Sequence, residues 1–422
     1  MISFYAAGRN GWRAILIALS TLVSVGCTTV ERNAVPPFLI NEAHPPGFEN
    51  VRFWGDRNDP ERLGKLMVKR AEKIRARYGA AASAGTPPTM SYLAISGGGQ
   101  YGAYSAGILT AWTKTGTRPE FDVVTGISTG SIIAPFAFLG AEYDAVLEEI
   151  YTTTKTEDML EQHVFSGLFG GASLADTTPL RNKIAQYVTP ALMAEIASEH
   201  RQGRGLFVGT TNLDVGRPVI WNMGAIADSG MPGALELFRT VILASAAIPI
   251  AFPPVIFDVS AAGLSYNELH VDGGVTSQVN ALSPQIPGYL MDELVGFSLE
   301  RDLYVLVNGA IVPPPEAVEP RTLEIGAASI NALWYAQAAG DLYKIHAVAE
   351  RDDISVRYGW IPADFIDEPD EEFDPVFMRK LFDLGAALIT DGSLWHTEPP
   401  NFSAPGAAEE TEAAVLRQAA LN

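Results

Sequence analysis

Phe121-Asp122-Val123-Val124-Thr125-Gly126-Ile127-Ser128-Thr129-Gly130-Ser131-Ile132-Ile133 is the stretch whose reading decides the fold. Its first half joins aromatic and β-branched residues and reads as a short strand over 121–125. Its second half is apolar at helical spacing and reads as a helix over 129–139. Between them lies Gly126-Ile127-Ser128-Thr129-Gly130. A strand that turns at once into a helix makes a strained bend, which pushes a serine hydroxyl out over the sheet edge. Flanking glycines are needed because larger side chains would clash in that bend. Ser128 is thus a candidate nucleophile, and its plain alternative is a serine that caps the helix.

Working outward, Gly97-Gly98-Gly99-Gln100-Tyr101-Gly102 follows a strand at 91–96 and opens a helix at 101–113. Consecutive glycines turn sharply and present bare N–H groups, and the helix N-terminus behind them favours a negative oxygen. The same spacing fits a dinucleotide fingerprint. That reading requires an acidic residue at the end of the second strand, whereas Glu120 and Asp122 stand at its start. Downstream, Asp272-Gly273-Gly274 follows Leu269-His270-Val271, 144 residues after Ser128. A serine hydroxyl needs a proton acceptor to attack, and a carboxylate at a strand end is placed for that work. The bland reading of Asp272 is a turn residue. His346 or His396 would complete a Ser–Asp–His order, while His270 reads as a sheet-face histidine.

These three motifs, in this order and spacing, resemble the patatin-like phospholipase family over residues 90–310. Two further stretches are similar to segments of that family: Leu174-Ala175-Asp176-Thr177-Thr178-Pro179-Leu180, and Leu243-Ala244-Ser245-Ala246-Ala247-Ile248-Pro249 with Phe252-Pro253-Pro254-Val255. The resemblance implies a Ser–Asp dyad in place of a triad, with Ser128 as nucleophile and Asp272 as general base. It implies an oxyanion hole from the amides of Gly97, Gly98 and Gly99. The remaining motif glycines are Gly102, which allows close packing at the helix start, and Gly126, Gly130, Gly273 and Gly274. The implied reaction is hydrolysis of a fatty-acyl ester of a lipid, without metal or cofactor.

Strand and helix signals alternate from residue 91, with further strands at 206–211, 219–222 and 303–308 and helices at 321–351 and 376–390. This predicts an α/β fold, a mostly parallel central sheet flanked by helices in three layers. The expected divisions are a signal peptide at 1–26, a lipidated tether and helix at 27–89, a catalytic domain at 90–310 and a helical extension at 311–422. The helix of the second segment runs over 59–81, with Asp59 as its cap and Pro60 at its first position.

Hydrophobic residues make up 47% and charged residues 18% of the 422, which excludes a disordered chain. A net charge of −20 argues against nucleic acid and against docking on anionic lipid. With one cysteine, Cys27, no internal disulfide or cysteine zinc site forms, and the six histidines make no metal-binding pair. Arg9 and Arg13 precede an apolar run at 14–23 that is too short to span a bilayer, followed by Ser24-Val25-Gly26-Cys27. This resembles a bacterial lipobox, which implies a diacylated Cys27 and a place in the cell envelope, at the periplasmic face of the outer membrane. The membrane and a lipid substrate are the expected partners. The alternative from another class is a non-catalytic envelope lipoprotein that binds lipid.

Overall fold

The computed structural model describes residues 32–57, 60–159, 161–162, 175–281, 284–311 and 317–400. Nine strands form one mixed sheet. They are β1 (Arg52–Trp54), β2 (Thr89–Ile95), β3 (Val123–Ile127), β4 (Gly205–Asn212), β5 (Arg217–Asn222), β6 (Val255–Ala261), β7 (Leu264–Asp272), β8 (Glu300–Val307) and β9 (Ser355–Trp360). The main order is β1-β5-β4-β3-β2-β8-β9, with β7 also paired to β4 and β6 to β7. The centre, β4-β3-β2-β8-β9, is parallel throughout. Its strands are buried on both faces, as near-continuous apolar runs require. Antiparallel pairing is confined to β1, β5, β6 and β7 on one flank.

The flanking helices are α1 (Pro60–Ser83), α2 (Gly102–Thr115), α3 (Thr129–Leu139), α4 (Asp144–Thr153), α5 (Thr178–Tyr187), α6 (Pro190–Arg201), α7 (Ala234–Ser245), α8 (Gly288–Val295), α9 (Thr322–Arg351) and α10 (Pro375–Asp391). Every residue of α2 from Gly102 to Trp112 is buried, because it is apolar all round and lies under α10. The two backbones nearly touch. A Cβ on Gly107 would fall 2.0 Å from the Phe382 carbonyl oxygen, and one on Gly385 would fall 2.4 Å from that of Tyr104. Asp374 caps α10 by accepting from Val376 N at 2.8 Å. Residues beyond 311 therefore complete the sheet with β9 and the helical layer with α10.

The two strands expected at 91–96 and 121–125 occur at 89–95 and 123–127, and α1 begins at Pro60. Asp59, its expected cap, and Cys27 lie outside the described residues, as does the whole segment from 163 to 174. The sequence reading placed only 269–271 of the β6–β7 hairpin in a strand and had no strand at 355–360.

Candidate active site

Ser128 occupies the single residue between β3 and α3, at φ 53° and ψ −123°. For a non-glycine residue this is a strained conformation held by its surroundings. The crossing is too tight for side chains on either side. A Cβ on Gly126 would fall 2.1 Å from Gly130 O, and one on Gly130 would fall 2.4 Å from Ile95 O. The Ser128 side chain makes no capping hydrogen bond to α3, so the helix-cap reading fails. Its backbone is clamped instead. Ser128 N donates to Ser245 Oγ at 2.9 Å, and Ser245 Oγ donates to Gly209 O at 2.7 Å. Ser131 Oγ donates to Ser128 O at 2.6 Å.

Asp272 is the last residue of β7, and sheet register brings it to Ser128. Strand β3 runs along β4 until Ile127 pairs with Gly209. There β7 takes over the same side of β4 from the opposite direction, and its terminal Asp272 pairs with Thr210. Two strand ends thus meet head to head on one shared neighbour. Asp272 N donates to Ala247 O at 2.9 Å. The segment 243–249 therefore holds both residues, Ser128 through Ser245 and Asp272 through Ala247.

Asp272 is 4% exposed. Burial pushes its carboxyl up to about 7, against opposing effects of the Ser128 hydroxyl and the Gly274 amide. Oδ1 accepts from Gly274 N at 2.7 Å. Oδ2 is buried without a hydrogen-bond partner. An unpaired buried carboxylate oxygen beside a hydroxyl is an acceptor awaiting a proton. The two side chains are neighbours whose hydrogen bond is not closed here, and such bonds tighten when a reactant is bound.

The glycine loop lies against the same bend. A Cβ on Gly97 would meet Ser128 Cβ at 3.2 Å. Gly98, at φ 141°, passes so close to Asn308 that a Cβ would fall 2.1 Å from its carbonyl oxygen. One expectation is corrected. Gly97 N donates to Gln278 O at 3.1 Å and is not a free oxyanion donor. No hydrogen bond among the described residues uses the amides of Gly98 and Gly99. Gly102 gives space to Thr129 and Tyr151, whose hydroxyls lie 2.5 Å apart. Gly273 passes the Gly209 carbonyl, and Gly274 passes the Gln278 side chain.

Three residues that the sequence did not mark support this arrangement. Gln278 accepts from Gly97 N through its carbonyl and donates from Nε2 to Gly274 O at 2.9 Å. Asp341, on α9, accepts from Gln278 N at 2.7 Å and from Ser277 Oγ at 3.0 Å. Ser245 is the third. It lay inside a quoted family-like stretch without a role, whereas Gln278 and Asp341 carry no local signal.

The histidines stand elsewhere. His270 is fully buried, with Nδ1 2.9 Å from Thr210 Oγ1 and Nε2 3.2 Å from Glu268 Oε2. Arg52 pairs with Glu268 at 2.5 Å. Burial alone would raise the Glu268 carboxyl, but Arg52 and His270 outweigh it and hold it at about 2. His346 packs near Tyr358, and His396 stacks on Trp360 with ring centres 4.1 Å apart. No described histidine is hydrogen-bonded to Asp272, whose Oδ1 meets Gly274 N and whose Oδ2 has no partner. Among the described residues no cluster of three or more His, Cys, Asp or Glu is arranged for a metal. An apolar cavity is lined by Thr129, the residue after Ser128, and by Ile132, Phe136, Tyr151, Leu180 and Ile242 among others.

The model of the family described as patatin-like phospholipase matches residues 93–284. That span contains the glycine loop, the elbow and the Asp-Gly-Gly turn. Among solved structures, VipD from Legionella pneumophila is similar at 12% identity and a TM-score of 0.31, covering 73% of this chain and 68% of its own. A chain from the complex of full-length SpcU with full-length ExoU, from the type III secretion system of Pseudomonas aeruginosa, is similar at 12% identity and a TM-score of 0.27. That match covers 73% of this chain and 53% of the other. No curated protein matches the chain. Residues 93–284 are thus similar to the patatin-like phospholipase family.

Proposed function

We propose that the protein cleaves fatty-acyl ester bonds of phospholipids or lysophospholipids through a Ser128–Asp272 dyad. The family match over residues 93–284 supports a lipid acyl hydrolase in general terms. The observation that carries the finer reading is the meeting of β3 and β7 on adjacent residues of β4. In this reading Ser128 Oγ attacks the ester carbonyl carbon while its proton passes to Asp272. The carbonyl oxygen becomes an oxyanion, received by the amides of Gly98 and Gly99 at the start of α2, with no part for Gly97. Removing one such donor typically costs about 3–4 kcal/mol of transition-state stabilisation. Collapse breaks the ester bond, and Asp272 returns the proton to the departing alcohol. Water, deprotonated by Asp272, then attacks the acyl-serine, releases the fatty acid and restores Ser128. The apolar cavity beside Thr129 suits the acyl chain.

The test is fatty-acid release from ester lipids, together with labelling by a serine-reactive phosphonate. Ser128→Ala removes both, by roughly the 10⁴-fold or more seen when an activated serine is deleted. An unchanged rate overturns the assignment. A lipid-binding lipoprotein without catalysis predicts that the parent protein fails to label at all. The proposed place of action is the bacterial envelope, with the protein held there by a diacylated Cys27.

A further inference from the structure

The buried residues of helix α9 all lie in its second half. Asp341, Leu342, Ile345, Val348 and Ala349 are buried. From Thr322 to Gly340 no described side chain is buried. Nineteen helical residues extend about 28 Å. Over 325–340 there is no Asp, Glu, Lys or Arg, although charged residues are 18% of the chain. Ile325 is 50% and Leu333 68% exposed, beside a half-buried Trp334. The base of the arm adjoins the candidate active site. Asp341 at its base holds the loop that positions Gly97 and Gly274. Two more exposed apolar residues stand near the Asp272 turn: Val275, three residues on, and Ile250, three residues after the carbonyl of Ala247 that Asp272 N meets.

We propose that the first half of α9 is the surface by which this protein lies on a bilayer of neutral headgroups, beside its catalytic pair. A chain of net charge −20 is repelled by anionic lipid, and the arm carries no cation to offset that. Ser329, Asn331 and Gln337 give it an uncharged polar side. Trp334 and Tyr335 are the residue types that settle at headgroup depth. No described helix is long and apolar enough to cross a membrane, so the arm rests on the surface.

The choice of lipid as partner rests on the functional reading above. Docking is therefore measured on full-length Ser128→Ala, so that a failure of hydrolysis and a failure of docking are told apart. Vesicles of phosphatidylcholine with brominated acyl chains quench tryptophans that reach them. Quenching of the parent is expected to fall about two-fold or more in Trp334→Phe. A similar fall is expected in the Ile325→Asn/Leu333→Asn double variant, whose melting temperature matches the parent. Replacing half of the phosphatidylcholine by phosphatidylglycerol weakens quenching. Equal quenching in parent and variants, or stronger quenching on the anionic vesicles, overturns the proposal. So does a concentration-dependent dimer of the parent that the double variant dissociates, since a second copy then covers the arm.

Discussion

The Asp272 carboxyl is buried at the end of β7 and titrates near 7 because burial outweighs the opposing hydroxyl and amide. In the proposed role of general base it must be ionised, so kcat/KM on a soluble ester is expected to rise with pH and level off above about 7. A flat profile down to pH 5 would contradict this. The same shift acts on stability with a definite sign. Below the ordinary carboxyl range both folded and unfolded chains are protonated, and there is no penalty. As pH rises toward 7 the unfolded chain gives up its proton and the folded one does not, so stability is lost across that window and is constant above it. Asp272→Asn removes the penalty. The variant should be inactive, and its melting temperature relative to the parent should be higher at pH 8 than at pH 4. The turns that carry Ser128 and Asp272 were legible in the sequence because each has the glycines it requires. The amide of Gly97 was misread because its partner, Gln278, is remote in the chain.

Strands β2, β3, β4, β5 and β8 were legible because buried parallel and central strands read as continuous apolar runs. The β6–β7 hairpin was not. Ile256 is apolar yet 41% exposed, while Glu268 and His270 are polar yet buried through Arg52 and Thr210. These exchanges between side-chain type and burial erase the period of two that marks a half-buried strand. Strand β9, Ser355-Val356-Arg357-Tyr358-Gly359-Trp360, mixes charge and glycine with aromatics at the sheet edge and gives an equally weak pattern. Glycines separate by context at this scale. Gly107→Val forces α2 from α10 and should cost about 3 kcal/mol or more, seen as a lower urea midpoint. Gly64 lies inside α1 with open space around its Cβ position, so Gly64→Ala should stabilise the fold by up to about 1 kcal/mol, seen as a higher midpoint. If the two variants shift alike, the close helix contact is wrong.

Across the whole molecule, the segment past 311 belongs to the working parts, although no sequence motif pointed to it. Asp341 on α9 gathers the amide of Gln278 and the hydroxyl of Ser277, and Gln278 in turn meets Gly97 and Gly274. Asp341 is a positioning residue. Asp341→Ala should lower kcat about 10-fold or more with little change in KM, and should move the acid limb of the pH profile, because Gly274 N holds Asp272 Oδ1. Asp341→Asn, which keeps an acceptor, should recover part of the rate. A folded Asp341→Ala with parental kcat and pH profile would remove that role. The head-to-head junction on β4 also has a temporal meaning. A ribosome delivers the serine turn long before it delivers residue 272, and the nascent chain reaches the second half of the proposed dyad only when β7 has closed against β4. Until then the hydroxyl has no base beside it. On the proposed mechanism a growing or truncated polypeptide of this kind stays chemically silent until synthesis has passed that strand.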